Sequence, residues 1–384
     1  MKIALITFHA DPTRGGAERY TIELAGALTQ QGHDVVILHY TPLKSAPAPN
    51  LDYTRVGRNR RTKAGQYLAF IDAVDKQITR DHFDIVHAML PIRRCDIYQP
   101  HAGFAIDSIA GNNKKRRGLS RLLARIGSQL NRKRRLYASI ELDLLTAPSP
   151  PTVICLSEAM KTRISPIIQP DLIRLSVIYN AVDLNHYDRS INPETGLDLK
   201  TKLDIVPDQA VALFIAQDFE RKGLAPSLKA LAEVHDPTLK LIVVGGDNAK
   251  PYRRLAETLG IAQSIIFAGE IHDVYPFYAA ADFVLFPSSF DPFGLVPAES
   301  ISMCVPPIVS RQCGVSELLT HNYDALIIED PSEVSQLVAA IHKILEPNSR
   351  RLLASNCVQS RQVFAYKKHL DSILQEYRIR INAL

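Results

Sequence analysis

Two acidic residues in the second half of the chain have a spacing that suits the binding of a ligand with several hydroxyl groups. Asp291 follows the apolar run Phe283–Phe286, and Glu299 comes eight positions after Asp291. We expect Asp291 on a loop and Glu299 about one turn into the next helix, so that the two carboxylates can accept hydrogen bonds from different hydroxyls. The backbone N–H groups from Phe293 to Val296, at the start of that helix, would face the same space.

Two adjacent basic residues follow the apolar run Val211–Ala216. Arg221 and Lys222 can neutralise a diphosphate, because arginine presents a planar fork of donors and lysine a point charge. The competing interpretation is a solvated pair in a turn, which is the commoner fate of such dipeptides. The position after the first strand of a domain favours phosphate binding.

A pair of glycines follows the first apolar run of the chain, Lys2–Phe8. Gly15 and Gly16 precede an amphipathic stretch, and glycines at a strand-to-helix turn let a ligand approach the backbone. The N-terminus of a helix also offers free N–H groups to an anion. A simple tight turn explains the pair equally well. The pattern is not G-x-G-x-x-G, which disfavours a dinucleotide-dependent dehydrogenase.

Short aliphatic runs that could position these residues alternate with longer stretches able to form helices. Nearly continuous apolar strands between helices predict parallel sheets covered on both faces. Two such series predict an α/β protein of two doubly wound domains that face a cleft, with ligands at the carboxyl ends of the strands. The predicted strands are Lys2–Phe8, Asp34–Tyr40, Phe83–Ala88, Ile97–Gln99 and Val153–Leu156 in the first half, and Val211–Ala216, Leu239–Val244, Ile265–Phe267, Phe283–Phe286, Pro307–Ser310 and Ala325–Ile328 in the second.

The break between the domains is predicted between Asn180 and Thr201. There the chain becomes polar and carries Asn192-Pro193 and Gly196, which are typical of a connecting segment. The first domain is then 1–182, with a basic insert at 113–137, and the second domain is 200–364.

The bulk composition is that of an ordinary soluble globular protein. Of the 384 residues, 46% are hydrophobic and 22% are charged, and no apolar stretch approaches the roughly 18 residues that cross a bilayer. The short apolar run at the start of the chain is interpreted as a buried strand rather than a signal peptide. Five cysteines, an odd number without a C-x-x-C pair, disfavour a disulfide framework and a structural zinc site. A reducing cytoplasm is the simplest setting.

Positive charge is concentrated in one segment of the first half. Between Asp107 and Glu141 there are ten basic residues and no acidic one, and subtracting these ten from the net charge of +5 leaves the rest of the chain at −5. Leucine and isoleucine recur there every three or four positions, which predicts an amphipathic basic helix or helix pair. The ten basic residues are Lys114, Lys115, Arg116, Arg117, Arg121, Arg125, Arg132, Lys133, Arg134 and Arg135.

Three interpretations of this basic segment compete. One is a solvated helix face. Nucleic-acid binding is disfavoured, because no recognised binding module accompanies the charge. Binding to an anionic membrane surface or to a phosphorylated lipid acceptor is the interpretation we favour.

The segment Ala281–Glu299 resembles the acidic-x7-acidic motif of the retaining family-4 glycosyltransferases, in which the motif follows a strand ending in Pro-Ser and precedes a helix. The resemblance covers nearly the whole chain and implies the GT-B fold of two Rossmann-like domains. It also implies that the last helix, from about 365 to 384, returns to the first domain. The other matching positions are Gly15-Gly16, Arg221-Lys222-Gly223, Phe267-Ala268-Gly269 and Gly314-Val315-Ser316-Glu317.

The resemblance implies a role for each candidate residue. Arg221 and Lys222 would stabilise the leaving diphosphate, where negative charge develops. Glu299 would hold the ribose hydroxyls, and Asp291 the donor sugar. Backbone contacts would come from Phe293, Gly294 and Leu295 to the sugar, and from Gly15 and Gly16 to the diphosphate.

A residue of the first domain is expected to face the reacting sugar. The family often places a histidine after a strand there, and His101 occupies such a position. Asp96 is a competitor, because the lipopolysaccharide core glucosyltransferase I group, which this chain most resembles, favours an aspartate nearby. His87 closes the preceding strand and is interpreted as structural.

Two positions depart from the family pattern. The first acidic residue is usually glutamate, whereas this chain has Asp291, which is shorter by one methylene, so we expect rearranged contacts to the sugar hydroxyls. Cys304 stands where the family often has glycine, and a packing role is the simpler interpretation of that cysteine.

Together these features predict a retaining glycosyltransferase that moves a hexose from a nucleotide-diphosphate sugar, with UDP the expected nucleotide, to a lipid-linked or lipopolysaccharide-core acceptor. No D-x-D triplet occurs, so neither a metal ion nor any other cofactor is expected. The expected location is the cytoplasm, on the inner face of the membrane. The alternatives are a catalytically silent GT-B protein that serves as a membrane-associated assembly partner, and a sugar-nucleotide epimerase of related fold.

Overall fold

The computed structural model describes residues 1–43, 48, 50–106, 132–168 and 173–383. Contacts divide the chain into two compact units, one of Met1–Ile178 with Leu370–Leu384 and one of Tyr179–His369. The basic residues from Lys114 to Arg125 lie outside the described residues.

The first unit contains a parallel sheet whose described strands have the order β3-β2-β1-β4-β5-β6-β7. The central strands are buried on both faces, because nearly all of their side chains are aliphatic. The chain runs outward from β1 to β3 and then returns to the other side of β1 at β4, which makes the β1–β4 edge a topological switch point. The strands are β1 (Lys2–Ile6), β2 (Asp34–His39), β3 (Asp52–Arg55), β4 (Ile85–Ala88), β5 (Ile97–Tyr98), β6 (Thr152–Cys155) and β7 (Leu175–Val177).

Helices of the first unit follow its strands and bury one face each. The first helix places Tyr20, Leu24 and Leu28 at a spacing of four residues, and all three are buried. The second is capped at its N-terminus by Thr62, whose side chain accepts a hydrogen bond from the Gly65 N–H at 3.0 Å. The helices are α1 (Gly16–Gln30), α2 (Lys63–Asp81), α3 (Arg132–Leu145) and α4 (Glu158–Ile164).

The second unit contains a parallel sheet with the order β10-β9-β8-β11-β12-β13. Its core is built from Phe214 and Leu241 on neighbouring strands and from Leu228 and Leu337 on two covering helices. The strands are β8 (Ala210–Ile215), β9 (Leu239–Val244), β10 (Ile265–Gly269), β11 (Phe283–Phe286), β12 (Pro307–Ser310) and β13 (Leu326–Ile328). The helices are α5 (Thr195–Lys202), α6 (Phe219–Lys222), α7 (Leu224–Val234), α8 (Lys250–Thr258), α9 (Tyr275–Ala280), α10 (Leu295–Ser302), α11 (Val334–Leu345) and α12 (Pro347–Ser360).

The polar stretch expected to connect the domains packs as part of the second unit, which begins at Tyr179. Arg189 Nη2 donates a hydrogen bond of 2.6 Å to the Ala279 carbonyl. A side chain at Gly196 would clash with the same backbone, so glycine allows α5 to lie close against α9. The glycine that suggested a loop is therefore a packing residue.

The last helix, α13 (Tyr366–Asn382), groups with the first unit from Leu370 onward. The Tyr377 hydroxyl lies 2.7 Å from Nδ1 of His87 on β4. Glu376 accepts hydrogen bonds from Arg174 Nε at 2.7 Å and from the Ser176 hydroxyl at 2.8 Å. These contacts tie the end of the chain to two strands of the first sheet.

Candidate donor site

The candidate cations and the first acidic residue follow two adjacent strands of the second sheet. Arg221 and Lys222 come after β8, Asp291 comes after β11, and these two strands pair with each other. The chain runs outward from β8 through β9 to β10 and then returns to the other side of β8 at β11. Such a reversal opens a crevice at the carboxyl ends of the strands, which is where open parallel sheets bind ligands.

The turn after β8 is shaped by its own residues. The Asp218 side chain accepts a hydrogen bond from the Arg221 N–H at 3.0 Å and so begins the short helix α6. That helix ends at Gly223, which has a φ of 85°. A side chain at Gly223 would clash with the carbonyl of Pro287, so glycine lets the Arg-Lys turn approach the end of β11.

Lys222 is held at the centre of this arrangement. Its side chain is only 11% exposed, its Nζ contacts Oδ2 of Asp291, and it lies 4.4 Å from the centroid of the Phe286 ring. Burial lowers the pKa of Lys222 to about 7, and the charge of Arg221 contributes to the lowering.

Arg221 lies on the same loop but is more exposed than Lys222. Its Nη1 donates a hydrogen bond of 2.9 Å to the Phe290 carbonyl, and its Nε lies 3.1 Å from Oδ2 of Asp218. Nη1 is also 3.9 Å from Oδ2 of Asp291. Two cations therefore converge on one carboxylate oxygen.

The loop that carries Asp291 is fixed by backbone hydrogen bonds to the segment after β12. The Asp291 N–H donates to the Gln312 carbonyl at 3.1 Å, and the Gly314 N–H donates back to the Asp291 carbonyl at 3.1 Å. Asp291 Oδ1 accepts from the Phe293 N–H at 3.1 Å. Gly294 then adopts a φ of 98° just before α10, whose first turn lacks a side-chain cap. The free N–H groups in the first turn of α10 therefore follow Asp291 closely in the chain.

Glu299 lies in the second turn of α10, as its spacing from Asp291 predicts. Its side chain is buried, and its Oε2 accepts a hydrogen bond of 2.7 Å from the Tyr278 hydroxyl. The same hydroxyl lies 3.2 Å from the Val296 carbonyl. The sequence reasoning did not single out Tyr278, because an aromatic residue on an amphipathic stretch is most often part of the core.

A cavity of about 300 Å³ opens at the carboxyl ends of β8, β9 and β10, on the other side of the Arg-Lys turn from Asp291. A side chain at Gly245, which has a φ of 148°, would clash with the Ala216 carbonyl. The sequence reasoning missed most of this cavity, although Gly245-Gly246 after a strand is the same signal that drew attention to Gly15-Gly16. The cavity is lined by Phe219, Val243, Gly245, Gly246, Asp247, Ala249, Arg253, Phe267, Gly269 and Glu270.

In the first unit, Gly15 and Gly16 lie where α1 begins. Gly15 precedes the helix in an extended conformation with a φ of 169°, and Gly16 is the first helical residue. The Glu18 carboxyl already lies in this first turn, 3.3 Å from where a Gly15 side chain would begin, and burial raises its pKa. The binding of a diphosphate by Gly15 and Gly16 stays a prediction.

The two candidates for facing the sugar lie at opposite ends of β5. His101 follows the carboxyl end of the strand, and its ring packs against Tyr20 with 4.1 Å between centroids. Asp96 precedes the strand, where its Oδ2 accepts from the Val86 N–H at 2.8 Å and its Oδ1 lies 3.5 Å from Arg380 Nε. Because ligands bind at the carboxyl ends of parallel strands, the position of His101 suits a ligand contact better than that of Asp96, and the role of either residue stays a prediction.

The basic segment is described only from Arg132 onward. Arg132 to Arg135 form the first turn of α3, and Lys133 Nζ lies 5.1 Å from the centroid of the Tyr137 ring. Within the described ranges, no helix has the length and the apolar character needed to span a membrane.

Comparisons with known proteins agree with this architecture. Residues 14–186 match the family described as Glycosyltransferase Family 4, and residues 198–360 match the family described as Glycosyl transferases group 1. The chain is 24% identical over 376 residues to the lipopolysaccharide core biosynthesis glycosyltransferase LpsD of Rhizobium meliloti, with 97% of each chain covered.

Two solved structures share the fold over nearly the full length. The crystal structure of WaaG, a glycosyltransferase involved in lipopolysaccharide biosynthesis, has a TM-score of 0.79 at 21% identity and covers 94% of this chain and 95% of its own. The structure of HepE of Anabaena in complex with UDP-glucose has a TM-score of 0.72 at 20% identity and covers 100% of both chains. These structures show the GT-B fold, and the two family matches together span most of the chain, so the chain is a glycosyltransferase of the GT-B type with a family 4-like domain and a group 1 domain.

Proposed function

We propose that the protein is a retaining hexosyltransferase that uses a UDP-sugar and acts on a lipid-linked or lipopolysaccharide-core acceptor. The observation that carries this proposal is the convergence of Lys222 and Arg221 on Asp291, at the switch point of the second sheet and beside the start of α10. The similarity to LpsD and WaaG supports the class of acceptor, and the UDP-glucose bound to HepE supports the class of donor.

The second unit offers a complementary group for each part of a UDP-sugar. The diphosphate would lie at Arg221 and Lys222, and the ribose hydroxyls would donate to Glu299. The nucleobase would enter the cavity lined by Gly246 and Phe267, which has room for a ring of that size. Asp291 and the first N–H groups of α10 would then hold the sugar.

The proposed reaction breaks the bond between the anomeric carbon and the β-phosphate oxygen. Negative charge develops on the departing UDP, where Lys222 and Arg221 stabilise it. The acceptor hydroxyl attacks from the same face, forms the new glycosidic bond and gives its proton to the leaving phosphate. No second catalytic carboxylate is then required, in contrast to glycosidases. His101 would face the reacting sugar.

The experiment that tests this proposal is a transfer assay with UDP-glucose, UDP-galactose and UDP-N-acetylglucosamine, with lipopolysaccharide core truncated before its first hexose as the acceptor. Proton NMR of the product gives the anomeric configuration. We expect transfer of one hexose with the configuration of the donor. An inverted product contradicts the retaining mechanism, and UDP binding without any transfer favours the catalytically silent alternative.

We further propose that the basic segment holds the protein against an anionic membrane that presents the acceptor. Each basic residue near an anionic leaflet contributes about 1 kcal/mol, so that a cluster suffices for peripheral binding. Neutralising Arg132 to Arg135 should reduce sedimentation with phosphatidylglycerol vesicles and leave UDP binding unchanged. Undiminished vesicle binding would count against the membrane role.

A further inference from the structure

The Asp291 carboxylate occupies the position at which two cations meet. Its Oδ2 contacts Lys222 Nζ and lies 3.9 Å from Arg221 Nη1, which is the arrangement that a phosphate oxygen would require. We propose that Asp291 is a placeholder for the donor phosphate. The diphosphate displaces the Asp291 carboxylate from Lys222, and the displaced carboxylate then accepts a hydrogen bond from a hydroxyl of the donor sugar. This inference rests on the proposed function and explains how the site would bind a sugar-bearing donor in preference to UDP.

Both oxygens of Asp291 have partners inside the protein. Oδ1 accepts from the Phe293 N–H at 3.1 Å, and Oδ2 contacts the ammonium of Lys222. The backbone of Asp291 is fixed to Gln312 and Gly314, so the loop does not have to be reshaped for the carboxylate to change partner. Only the bond to Lys222 must be exchanged, because the bond to Phe293 can persist.

The contact is largely shielded from water, since the side chains of Lys222 and Asp291 are only 11% and 13% exposed. Removing one partner of a buried ion pair leaves an uncompensated charge, which is strongly unfavourable. Lys222 therefore releases Asp291 readily only when another anion takes its place. A diphosphate supplies that anion and reaches Arg221 as well.

The same reasoning applies to Asp291 after the exchange. A UDP-sugar brings hydroxyl donors to the released carboxylate, so both members of the original pair gain new partners. UDP alone satisfies Lys222 and leaves Asp291 without a replacement for the ammonium. The protein should thus bind a sugar-bearing donor in preference to UDP, and the return of Asp291 to Lys222 should help to expel UDP after transfer.

The test is a calorimetric titration of the full-length protein with UDP and with UDP-glucose, in the wild type and in Asp291→Asn. Asparagine keeps the Oδ1 acceptor for Phe293 and puts an uncharged NH2 group in place of Oδ2, which cannot accept from Lys222 and so no longer competes with phosphate. Working at about pH 6 keeps Lys222 in its charged form. We expect Asp291→Asn to bind UDP about tenfold more tightly and to gain no affinity for UDP-glucose, which abolishes the preference for the sugar-bearing ligand.

The matched control is Asp218→Asn, which removes one carboxylate charge from the neighbouring loop, the one that carries Arg221 and Lys222. Asp218 pairs with Arg221 rather than Lys222, so this variant should change the affinities for the two ligands by a common factor. Equal changes for both ligands in Asp291→Asn, or weaker binding of UDP, would overturn the placeholder role and leave the proposed function standing. A wild-type protein that binds neither ligand would overturn both.

Discussion

The Tyr278 hydroxyl donates a hydrogen bond of 2.7 Å to Oε2 of Glu299, from a helix that lies before β11 to a helix that lies after it. The Tyr278 side chain is fully buried, and its ring packs edge-on against Tyr187 with 5.8 Å between centroids. The orientation of the Glu299 carboxylate is thus set by a tyrosine that is itself fixed by packing. This makes Tyr278 a positioning residue for the proposed ribose contact.

We predict that Tyr278→Phe weakens UDP binding about three- to tenfold. Phenylalanine keeps the packing but removes one hydrogen bond to a charged group, which typically contributes about 1.5–3 kcal/mol. Part of that free energy is lost from ligand binding, because the Glu299 carboxylate loses the hydroxyl that orients its Oε2. Calorimetry with UDP measures the effect.

The control for this prediction is Tyr275→Phe on the same helix. The Tyr275 hydroxyl donates to the Asp188 carbonyl at 3.0 Å, far along the chain from Glu299. UDP affinity should be unchanged in this variant. An equal loss in both variants would mean that α9 contributes only general stability.

We predict that UDP affinity falls as the pH rises through about 7. Burial holds the pKa of Lys222 near 7, with Arg221 adding to the effect, so the free protein loses the lysine charge above that pH. The diphosphate binds the form of the protein in which Lys222 is charged. Above pH 7 Lys222 must therefore take up a proton when UDP binds, and this costs more free energy as the pH rises. Titrations in buffers of different ionisation enthalpy should show proton uptake on binding near pH 8. Binding without proton uptake there would mean that Lys222 keeps its charge.

We predict that Cys304→Gly stabilises the second unit by about 0.5–1 kcal/mol. Cys304 follows the end of α10 with a φ of 55°, a left-handed conformation that glycine adopts at lower cost. The Val305 N–H donates to the Ser300 carbonyl at 2.9 Å and the Cys304 N–H to the Ile301 carbonyl at 3.0 Å, the bonding pattern of a glycine-terminated helix. Differential scanning calorimetry should show a rise in Tm of roughly 1–4 °C. A lower Tm would show that packing of the half-buried thiol outweighs the backbone strain.

Several features of the second unit could be predicted from sequence because they depend on local patterns. The spacing of Asp291 and Glu299 predicts a loop followed by a helix, and the position of Arg221 after β8 places it at a switch point. Cys304 received only a packing interpretation, since the left-handed backbone that explains the usual glycine is visible only in the structure.

Other features depend on contacts between residues that are distant in the chain, and no local sequence pattern predicts them. The Asp96 carboxylate pairs with Arg380, which lies on the last helix. The exchangeable pair of Lys222 and Asp291 joins two loops that only the order of the strands brings together. Gly196 suggested a loop because it lies in a polar stretch. Its close contact with Ala279 cannot be inferred from the neighbouring sequence.

The most direct test of the central claim is a calorimetric titration of UDP into the wild type, Lys222→Met and Lys229→Met. Methionine fills the space of lysine without its charge, and exposed Lys229 on α7 controls for a general loss of positive charge. We predict that the wild type and Lys229→Met bind UDP equally, and that Lys222→Met binds it at least tenfold more weakly, the loss expected for a charge-assisted contact of about 1.4 kcal/mol or more. Equal UDP binding by Lys222→Met and the wild type would contradict the donor site described for this protein.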